Sequence, residues 1–442
     1  YMNEDLYSLD IKRFQKFHSS KKFIMNRVTE TLGDLYGMHW PYKQHKTSRD
    51  QKLLPYHDEL KKAGACFGQS GEYERPMWFA LDGSKPEYEY SFNSQNWYPS
   101  VEYECKNTIE NVGLFELSPF SKYEVKGEKA YEELQRLCTA NIKNEIGKCT
   151  YTHMLNEGAG IETDLTVVCI DINHFRIISS AAVRTHDKAH ILKHLSGDVE
   201  FKDVTDELIC LGIFGPKSRS LLSKITNENL SNEIFKFGTS KNINLGSTNV
   251  WVQRLSYVGE LGFELYIKMN ESKEIYNLIV KNGDEFNLSH GGILSLDTMR
   301  MESGFLHWGH DISPEENQYE AGLQFAISYK KNINFIGKEA LLKIKDKKLS
   351  KRFVSLFLNN TKPGEPLLLH DEPIYCEDKI VGRTTSGNYS FNYKKSLAFG
   401  YINSSTSLED FKNKKIFVEV EKTKYPATFL TKALKDKNIK FG

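Results

Sequence analysis

The sequence lacks the patterns that mark several common classes of protein. It contains neither a Gly-x-Gly-x-x-Gly dinucleotide fingerprint nor a Gly-x-x-x-x-Gly-Lys-Ser/Thr phosphate loop, so we expect no dinucleotide or nucleoside triphosphate to bind this chain itself. No apolar run approaches the roughly 18 residues of a membrane span, and the first residues lack the basic and then apolar pattern of a signal peptide. The sequence therefore predicts no association with a membrane.

An excess of either charge is absent as well. The chain has 59 basic and 58 acidic residues, which gives a net charge of +1 at pH 7, so no long-range field would attract nucleic acid. We therefore expect a small-molecule ligand or a protein partner, and no nucleic acid. The seven cysteines are widely spaced and form no Cys-x-x-Cys pair. This usage predicts free thiols in a reducing compartment, either the cytoplasm or the mitochondrial matrix.

The length and the pattern along the chain predict three domains. At 442 residues the chain exceeds a single hydrophobic core. Residues 1–100 are rich in aromatic and charged side chains, residues 101–342 alternate between strand and helix patterns, and residues 343–442 hold a basic linker followed by short strands. We predict an α+β fold whose last segment forms a small antiparallel barrel or sandwich. In the middle segment, residues 112–120 and 121–125 are predicted to be neighbouring, paired strands.

A glycine-rich turn leads into a predicted strand in the middle segment. Gly158 and Gly160 allow a tight turn, and the β-branched run at 166–168 favours a strand. Asp164 lies at the junction, where burial can raise its pKa and fix its position, as a general base or a group that stabilises a cation requires. The alternative is an aspartate that caps its own turn.

A second turn carries a candidate ligand-binding carboxylate. Residues 257–265 predict a strand, a glycine turn and a strand, and Glu260 lies between Gly259 and Gly262. On such a turn its carboxylate can point into a cavity and accept two parallel hydrogen bonds from a heterocycle with adjacent N–H and NH₂ donors. The alternative is a solvated turn glutamate. Glu264 follows the alternation of the next strand and is expected to face solvent.

A polar helix and loop follow farther along the chain. Leu296 and Arg300 share one face of a predicted helix that ends near Gly304. His307 and His310, three residues apart, could be metal ligands, but no further His or Cys pattern completes a coordination set. We therefore predict no metal site, and a loop that its polar residues hold in place.

In combination these stretches resemble the folate-binding aminomethyltransferase family, which includes the T-protein of the glycine cleavage system. Within that family they are most similar to the C-terminal part of the dimethylglycine and sarcosine dehydrogenases. The matching stretches occur in the same order and cover nearly the whole chain. The connecting region after the flavin domain of those dehydrogenases resembles residues 10–14, 64–68 and 74–79. The folate domain resembles residues 113–120, 151–164, 215–219, 257–264 and 297–323, and the terminal barrel resembles residues 384–401.

The resemblance implies an aminomethyltransferase-like folate-binding domain with a C-terminal β-barrel and an N-terminal connecting region. It also implies a one-carbon transfer, in which a flavin oxidises an N-methylated glycine derivative to an iminium and tetrahydrofolate captures the methylene as 5,10-methylenetetrahydrofolate. By position, Asp164 matches the catalytic folate-site aspartate, Glu260 the glutamate that holds the pterin ring, and Tyr257 a stacking residue. Arg300 matches a further cofactor-binding residue.

Two departures from the T-protein pattern bear on the reaction. Thr163 stands where that family has the first of two acids, and Leu296 stands where it has an arginine; both changes follow the dehydrogenase branch. Since the dinucleotide motif is missing, FAD is expected only on a missing or separate flavin oxidoreductase domain or subunit. The chain begins at Tyr1, which leaves open whether it is a fragment or a separate folate subunit.

Two other functions stay open. One is a stand-alone folate-dependent aminomethyltransferase or demethylase that acts on a small methylated amine or sulfonium compound. The other is a folate-binding module without catalytic activity.

Overall fold

The N-terminal part of the chain combines helices with one hairpin. The computed structural model describes residues 7–70, 73–403, 408–411, 413–430 and 433–434. The first elements are three short 3₁₀ helices (Tyr7–Leu9, Ile11–Arg13 and Lys16–Ser19), then α1 (Lys21–Asp34), α2 (His57–Lys62), β1 (Ala65–Ser70), β2 (Tyr73–Phe79) and α3 (Tyr98–Glu110). β1 and β2 pair antiparallel. Trp78 of β2 is buried against Phe115 and Phe214 of the middle segment, so the aromatic cluster of this hairpin is a packed surface.

The middle segment alternates between strands and helices. In chain order it contains β3 (Val112–Glu116), β4 (Ser121–Lys126), α4 (Ala130–Leu137), β5 (Cys149–Leu155), β6 (Ile161–Asp171), β7 (His174–Ser179), α5 (Arg184–His194), β8 (Glu200–Asp203), β9 (Leu208–Phe214), α6 (Ser218–Ile225), β10 (Ser240–Leu245), β11 (Thr248–Gln253), β12 (Gly262–Lys268), α7 (Ser272–Lys281), β13 (Leu288–Gly291), α8 (Ile293–Glu302) and α9 (Lys338–Lys345). Short 3₁₀ helices lie at Met269–Glu271, Asp284–Phe286 and Gln324–Ala326. These strands form two sheets.

The first sheet has five antiparallel strands in the order β5-β6-β7-β4-β8. Alternate residues of a strand point to opposite faces. Val167 and Ile177 point to the outer face, where they pack with Leu134 of α4 and Ile191 of α5. The residues between them on each strand therefore point to the inner face.

The second sheet has six strands in the order β10-β11-β12-β9-β3-β13. Only β13 runs parallel to its neighbour, β3. Phe263 and Leu265 of β12 pack in a core with Leu221 of α6 and Ile275 of α7. The opposite face of this sheet turns toward the inner face of the first sheet: the Arg176 guanidinium of β7 lies 5.9 Å from the centre of the Tyr266 ring of β12.

One expected strand pairing is wrong. Residues 112–120 and 121–125 do not pair with each other, because β3 pairs with β9 and β13 whereas β4 pairs with β7 and β8. Between β3 and β4 a turn closes with the Phe120 N–H donating to the Leu117 carbonyl at 3.1 Å, and there the chain crosses from one sheet to the other. The turn residues predict a reversal of direction but not which strand becomes the neighbour.

The C-terminal segment is a closed barrel. Its strands are β14 (Arg352–Leu358), β15 (Pro373–Cys376), β16 (Lys379–Ser390), β17 (Lys395–Ile402), β18 (Ile416–Val420) and β19 (Thr423–Leu430), with a 3₁₀ helix at Leu408–Phe411. They close in the order β14-β17-β16-β15-β18-β19. The predicted α+β fold with a small antiparallel barrel is confirmed, whereas the domain boundaries after residues 100 and 342 stay predictions.

Two further features concern the cysteines and the helices. All seven cysteines are free thiols, and six of them are buried. Over the part of the chain that the structure describes, no helix combines the length and the apolarity needed to cross a membrane.

Candidate functional site

Asp164 lies on the inner face of the first sheet. It belongs to β6, opposite His153 of β5, so it is part of the strand and not of the preceding turn. The side chain is half-buried, yet burial raises its pKa to about 7, against the opposing effect of the nearby Tyr151 side chain. At neutral pH such a group can accept a proton.

The glycine turn before β6 is held by another side chain. The Asn156 Oδ1 accepts hydrogen bonds from the N–H groups of Gly158 and Gly160, both at 2.9 Å. A Cβ atom at Gly160 would lie 2.1 Å from the Pro314 carbonyl oxygen, so a glycine is required for this close approach. Because Asn156 caps the turn, the alternative role of Asp164 as its cap is wrong.

Tyr151 lies near Asp164 on the neighbouring strand. Burial and the Asp164 charge raise its pKa, and its hydroxyl oxygen lies 3.0 Å from His153 Nε2. Its ring stacks on Phe325 at a centroid distance of 5.9 Å. The sequence patterns did not single out Tyr151, because its proximity to Asp164 depends on the pairing of β5 with β6.

Tyr257 lies close to both Asp164 and Arg300. Burial raises its pKa, the Arg300 charge opposes that effect, and the Asp164 charge adds to it. Its hydroxyl donates to the Leu306 carbonyl at 2.7 Å, and its ring stacks on Phe305 at 5.8 Å. The structure therefore brings together three of the residues that the sequence selected, and the stacking of Tyr257 on a ligand stays a prediction.

Glu264 is a second carboxylate with a raised pKa. It was expected to face solvent, and this expectation is wrong: burial raises its pKa to about 7, although it accepts a hydrogen bond from the Tyr266 hydroxyl at 2.9 Å. Its charge acts on Cys149 of β5, which shares a sheet face with Tyr151 and His153. Glu264 thus faces the first sheet. Strand alternation predicted that it points away from Phe263 and Leu265, but not that a second sheet covers that side.

Gln253 is a fully buried amide without a partner. It lies opposite Glu264 across the β11–β12 pair, so the two side chains share a face. It is 0% exposed, and neither its Oε1 nor its Nε2 has a hydrogen-bond partner. Buried polar groups are nearly always paired, and an unpaired one calls for a bound water or ligand.

Glu260, the sequence-based candidate for pterin binding, lies on the bend at residues 257–261 between β11 and β12 and is half-buried. It follows Tyr257 by three positions, so the two Cα atoms are within about 11 Å of each other. Its role stays a prediction, and Glu264 on the next strand is a structural alternative.

Arg300 is almost completely buried and has several protein partners. Its Nε donates to Asp297 at 2.8 Å, its Nη1 donates to Asp311 at 2.6 Å and to the Phe305 carbonyl at 3.1 Å, and its Nη2 donates to Ser386 of the barrel at 2.9 Å. Burial alone would lower its pKa, but the Asp297 and Asp311 charges raise it. These contacts favour a role in holding the site together, and direct binding of a cofactor by Arg300 stays a prediction.

A buried acidic side chain on α5 affects the pKa of Asp164. Asp187 of α5 is 0% exposed, and its charge helps to raise the pKa of Asp164. The His186 ring lies between the Asp187 Oδ1, at 3.3 Å, and the Glu162 Oε2, at 3.0 Å. Burial would lower the pKa of His186, but both carboxylates together raise it to about 10. Asp187 is a second acid near Asp164, in a chain where Thr163 replaces the sequence-adjacent acid.

The loop after α8 is anchored to the strand that carries Asp164. The Trp308 indole N–H donates to the Ile161 carbonyl at 3.0 Å, and the His307 backbone N–H donates to the Asp311 carboxylate at 3.0 Å. Polar contacts therefore hold this loop, as the sequence predicted.

The side chains on the facing sheets and on the adjoining bend suit a flat, polar heterocycle. Asp164 can accept a proton, Glu264 can accept two parallel hydrogen bonds, Gln253 has unpaired donor and acceptor atoms, and Tyr151 and Tyr257 offer aromatic walls. The residues present thus fit the pterin ring that the family resemblance implies.

Comparisons with known proteins agree with this architecture. Residues 56–331 match the GCVT N-terminal domain, residues 351–436 match the glycine cleavage T-protein C-terminal barrel domain, and residues 1–53 match the FAD dependent oxidoreductase central domain. The crystal structure of the glycine cleavage system aminomethyltransferase T from Bartonella henselae has a TM-score of 0.74 and 22% sequence identity, over 87% of this chain and 98% of that chain. This likeness shows the fold.

Two curated relatives align with nearly the whole chain. The 4-methylaminobutanoate oxidase (formaldehyde-forming) of Paenarthrobacter nicotinovorans is 35% identical over 96% of this chain and 51% of its own length. The mitochondrial dimethylglycine dehydrogenase of Rattus norvegicus is 32% identical over 97% of this chain and 50% of its own length. The chain spans about half the length of these relatives. It belongs to the glycine cleavage T-protein superfamily and is related to the dimethylglycine and sarcosine dehydrogenases, as its motifs predict.

Proposed function

We propose that this chain is the tetrahydrofolate-dependent half of a flavin-linked N-methyl amine dehydrogenase, and that it captures an iminium-derived methylene as 5,10-methylenetetrahydrofolate. The observation that carries the proposal is a pair of carboxylates on the facing sides of the two sheets. Asp164 of the first sheet and Glu264 of the second each have a pKa raised to about 7 by burial. Buried carboxylates with such pKa values are typical of groups that handle protons or bind polar ligands.

The pterin ring would be held by a carboxylate and by the Gln253 amide. A carboxylate that accepts from two adjacent donors fixes the orientation of the ring as well as its affinity. Glu264 is the structural candidate for this role, and Glu260 is the sequence-based candidate on the adjoining bend. The Gln253 amide would gain the partners that it lacks in the protein alone.

Asp164 would act as the proton acceptor. Tetrahydrofolate supplies the nitrogen nucleophile that takes up the one-carbon unit. Asp164, whose pKa of about 7 makes it partly ionised at neutral pH, accepts the proton from that nitrogen and can return it to the leaving amine. In its ionised form it also stabilises the positive charge of an incoming iminium.

The oxidation step requires a flavin that we assign to a separate domain or subunit. Residues 1–53 match only the central domain of FAD-dependent oxidoreductases, and the chain has no dinucleotide motif. The relatives named as an oxidase and a dehydrogenase of N-methylated compounds suggest an N-methylated glycine derivative or a similar amine as the substrate of the assembled enzyme. The compartment, cytoplasm or mitochondrial matrix, stays a prediction.

Titration with tetrahydrofolate tests the proposal. The purified chain should bind tetrahydrofolate with one-to-one stoichiometry in calorimetry and should show no flavin absorbance. When the flavin-containing part is supplied with an N-methylated substrate, the product should change from formaldehyde to 5,10-methylenetetrahydrofolate. Absence of tetrahydrofolate binding would refute the proposal, whereas binding without transfer would support the folate-binding module that lacks catalytic activity.

A further inference from the structure

Apolar side chains form an exposed stripe along α1. On this helix and at the residue that ends it, five large apolar side chains are each between 45% and 60% exposed: Ile24, Met25, Val28, Leu32 and Leu35. Four of them follow one another at intervals of four, four and three residues, and Met25 lies beside the first. Such intervals place side chains next to one another along one side of a helix. We call these five residues the apolar stripe.

A different side of α1 contacts the rest of the chain. The Arg27 guanidinium donates to the Thr47 carbonyl at 2.8 Å, and the Glu30 carboxylate accepts from the Thr47 N–H at 2.9 Å. Farther along the helix, Asp34 pairs with Lys43 at 2.6 Å. Since a helix turns about 100° per residue, these contacts lie roughly 130° around the helix from the apolar stripe. Polar groups therefore attach α1 to its own chain.

This arrangement is the reverse of that in an ordinary surface helix. Such a helix buries its apolar stripe against the core and presents its polar side to water. In α1 the polar side is attached to the chain, and no residue that the structure describes covers the stripe enough to bury it. A contiguous apolar patch of this kind marks a site of interaction, whereas single exposed apolar residues are ordinary.

The position of the stripe in the sequence favours one occupant. α1 lies within residues 1–53, which match the FAD dependent oxidoreductase central domain, and the match to the GCVT N-terminal domain begins only at residue 56. The oxidase and the dehydrogenase named above extend beyond their matches to this chain by about half of their own lengths. The exposed stripe is thus on the segment that resembles a flavin enzyme.

We propose that the apolar stripe of α1 is the surface on which the flavin-containing part of the enzyme docks onto this chain. The inference rests on the function proposed above. The stripe would form the apolar centre of the interface, and the exposed polar residues beside it, Lys22, Asn26 and Thr29, would form its rim. Because polar contacts attach α1 to residues 43–47, docking on the stripe also fixes the flavin-containing part relative to this chain.

Thiol labelling tests whether the stripe is covered in the assembled enzyme. Val28→Cys places a thiol in the stripe, and the native cysteines give a low background because six of the seven are buried. A maleimide reagent should label this thiol at least about 10-fold more slowly in the assembly than in the chain by itself, since access controls the reaction. The assembly is produced in native cells and isolated with its flavin bound, whether its two parts are joined or separate.

Two variants serve as controls for the labelling. Asn26→Cys lies on α1 but outside the stripe and is exposed, so the assembly should slow its labelling by less than about threefold. Ile172→Cys lies in the turn after β6 and is 65% exposed in the unchanged chain. It should be labelled at the same rate in both states.

A charge in the stripe should uncover it. Leu32→Asp combined with Val28→Cys should return the labelling rate in the assembly to within about threefold of the rate in the chain by itself, because a buried charge without a partner opposes docking. Asn26→Asp combined with Val28→Cys is the matched control and should keep the protection. Since Leu32 is exposed in the chain by itself, Leu32→Asp should leave the affinity for tetrahydrofolate unchanged, which also shows that the variant folds.

The outcomes separate the occupants of the stripe. Equal labelling of Val28→Cys in both states, failure of the chain to retain a flavin-containing part, or protection that survives Leu32→Asp would overturn the inference. Protection that appears in the chain by itself as its concentration rises would assign the stripe to a second copy. Protection by vesicles of anionic phospholipid would assign it to a membrane surface, and either result would also overturn the inference.

Tetrahydrofolate binding distinguishes this inference from the proposed function. An assembly in which the stripe is protected but the chain binds no tetrahydrofolate would refute the proposed function alone. Tetrahydrofolate binding and methylene transfer with an unprotected stripe would refute the docking surface alone.

Discussion

Arg300 and Asp311 form a fully buried ion pair, with 2.6 Å between Nη1 and Oδ2. The Asp311 carboxylate also accepts hydrogen bonds from Thr385 at 2.6 Å and from Ser386 at 2.8 Å, both on β16 of the barrel. The pair therefore joins α8 and its following loop to the barrel. Since the Arg300 charge also opposes the rise in the pKa of Tyr257 that burial causes, the ion pair that holds the barrel lies near the proposed site.

Loss of Arg300 should strongly destabilise the protein. Arg300→Met leaves Asp311 buried without its counter-charge, and removal of one partner of a buried pair typically costs about 3–5 kcal/mol. Arg383→Met is the matched control, because Arg383 also lies on β16 and pairs with an aspartate, Asp371, but both side chains are more than half exposed. That change should cost less than about 1 kcal/mol. Urea unfolding of both variants measures the difference, and equal costs would show that the buried pair has no special role.

The proposed transfer should depend on the ionisation of Asp164. Burial raises the pKa of this carboxyl from 3.8 to about 7, so the base form increases as the pH rises through 7. The rate of methylene transfer, measured at saturating tetrahydrofolate, should increase about tenfold per unit below this value and level off above it. Asp164→Asn should abolish this dependence and slow the transfer by roughly 10²–10⁴-fold.

Asp164→Ala should leave tetrahydrofolate binding nearly intact, because Asp164 is assigned to proton transfer and not to holding the ring. Calorimetry at pH 8 compares its affinity with that of the unchanged chain. An affinity loss as large as that of a variant of the pterin-holding carboxylate would contradict this division of roles.

The two candidate carboxylates for the pterin ring can be told apart by affinity. Glu264→Gln should weaken tetrahydrofolate binding by about 10-fold or more, since it replaces an acceptor of charge-assisted hydrogen bonds by an amide that also presents donors. Glu260→Gln should change the affinity by less than about threefold if Glu264 alone contacts the ring. A larger effect at Glu260 would restore the sequence-based assignment.

The parts of the fold that could be predicted from sequence depend on local patterns. The small antiparallel barrel of the last segment was predicted because patterns of short strands follow the basic linker. The family motifs likewise selected Asp164. Glu264 was misassigned because alternation gives the face of a strand but not what covers that face. Asp187 was missed because α5 and β6 meet only in the folded chain, and no local pattern signals such a contact.

Glu104 should make the stability of the protein fall as the pH rises. This carboxylate of α3 is 1% exposed and accepts hydrogen bonds from the Phe79 N–H at 2.7 Å, the Gly292 N–H at 2.8 Å and the Ser295 hydroxyl at 2.6 Å. Burial outweighs these contacts and raises its pKa from 4.5 to about 7. The folded state therefore binds a proton more tightly than the unfolded state does.

A folded-state pKa above the unfolded value contributes stability at low pH that is lost as the pH rises from about 4.5 to about 7. Glu104→Gln removes the titration, so the stability of the unchanged protein relative to this variant should fall by about 3 kcal/mol between pH 4.5 and pH 8. Glu110→Gln, on the same helix but exposed, should show no such trend. Urea unfolding at several pH values measures the difference, and a difference that grows with pH would mean that Glu104 is ionised in the folded protein throughout, because its three donors outweigh its burial.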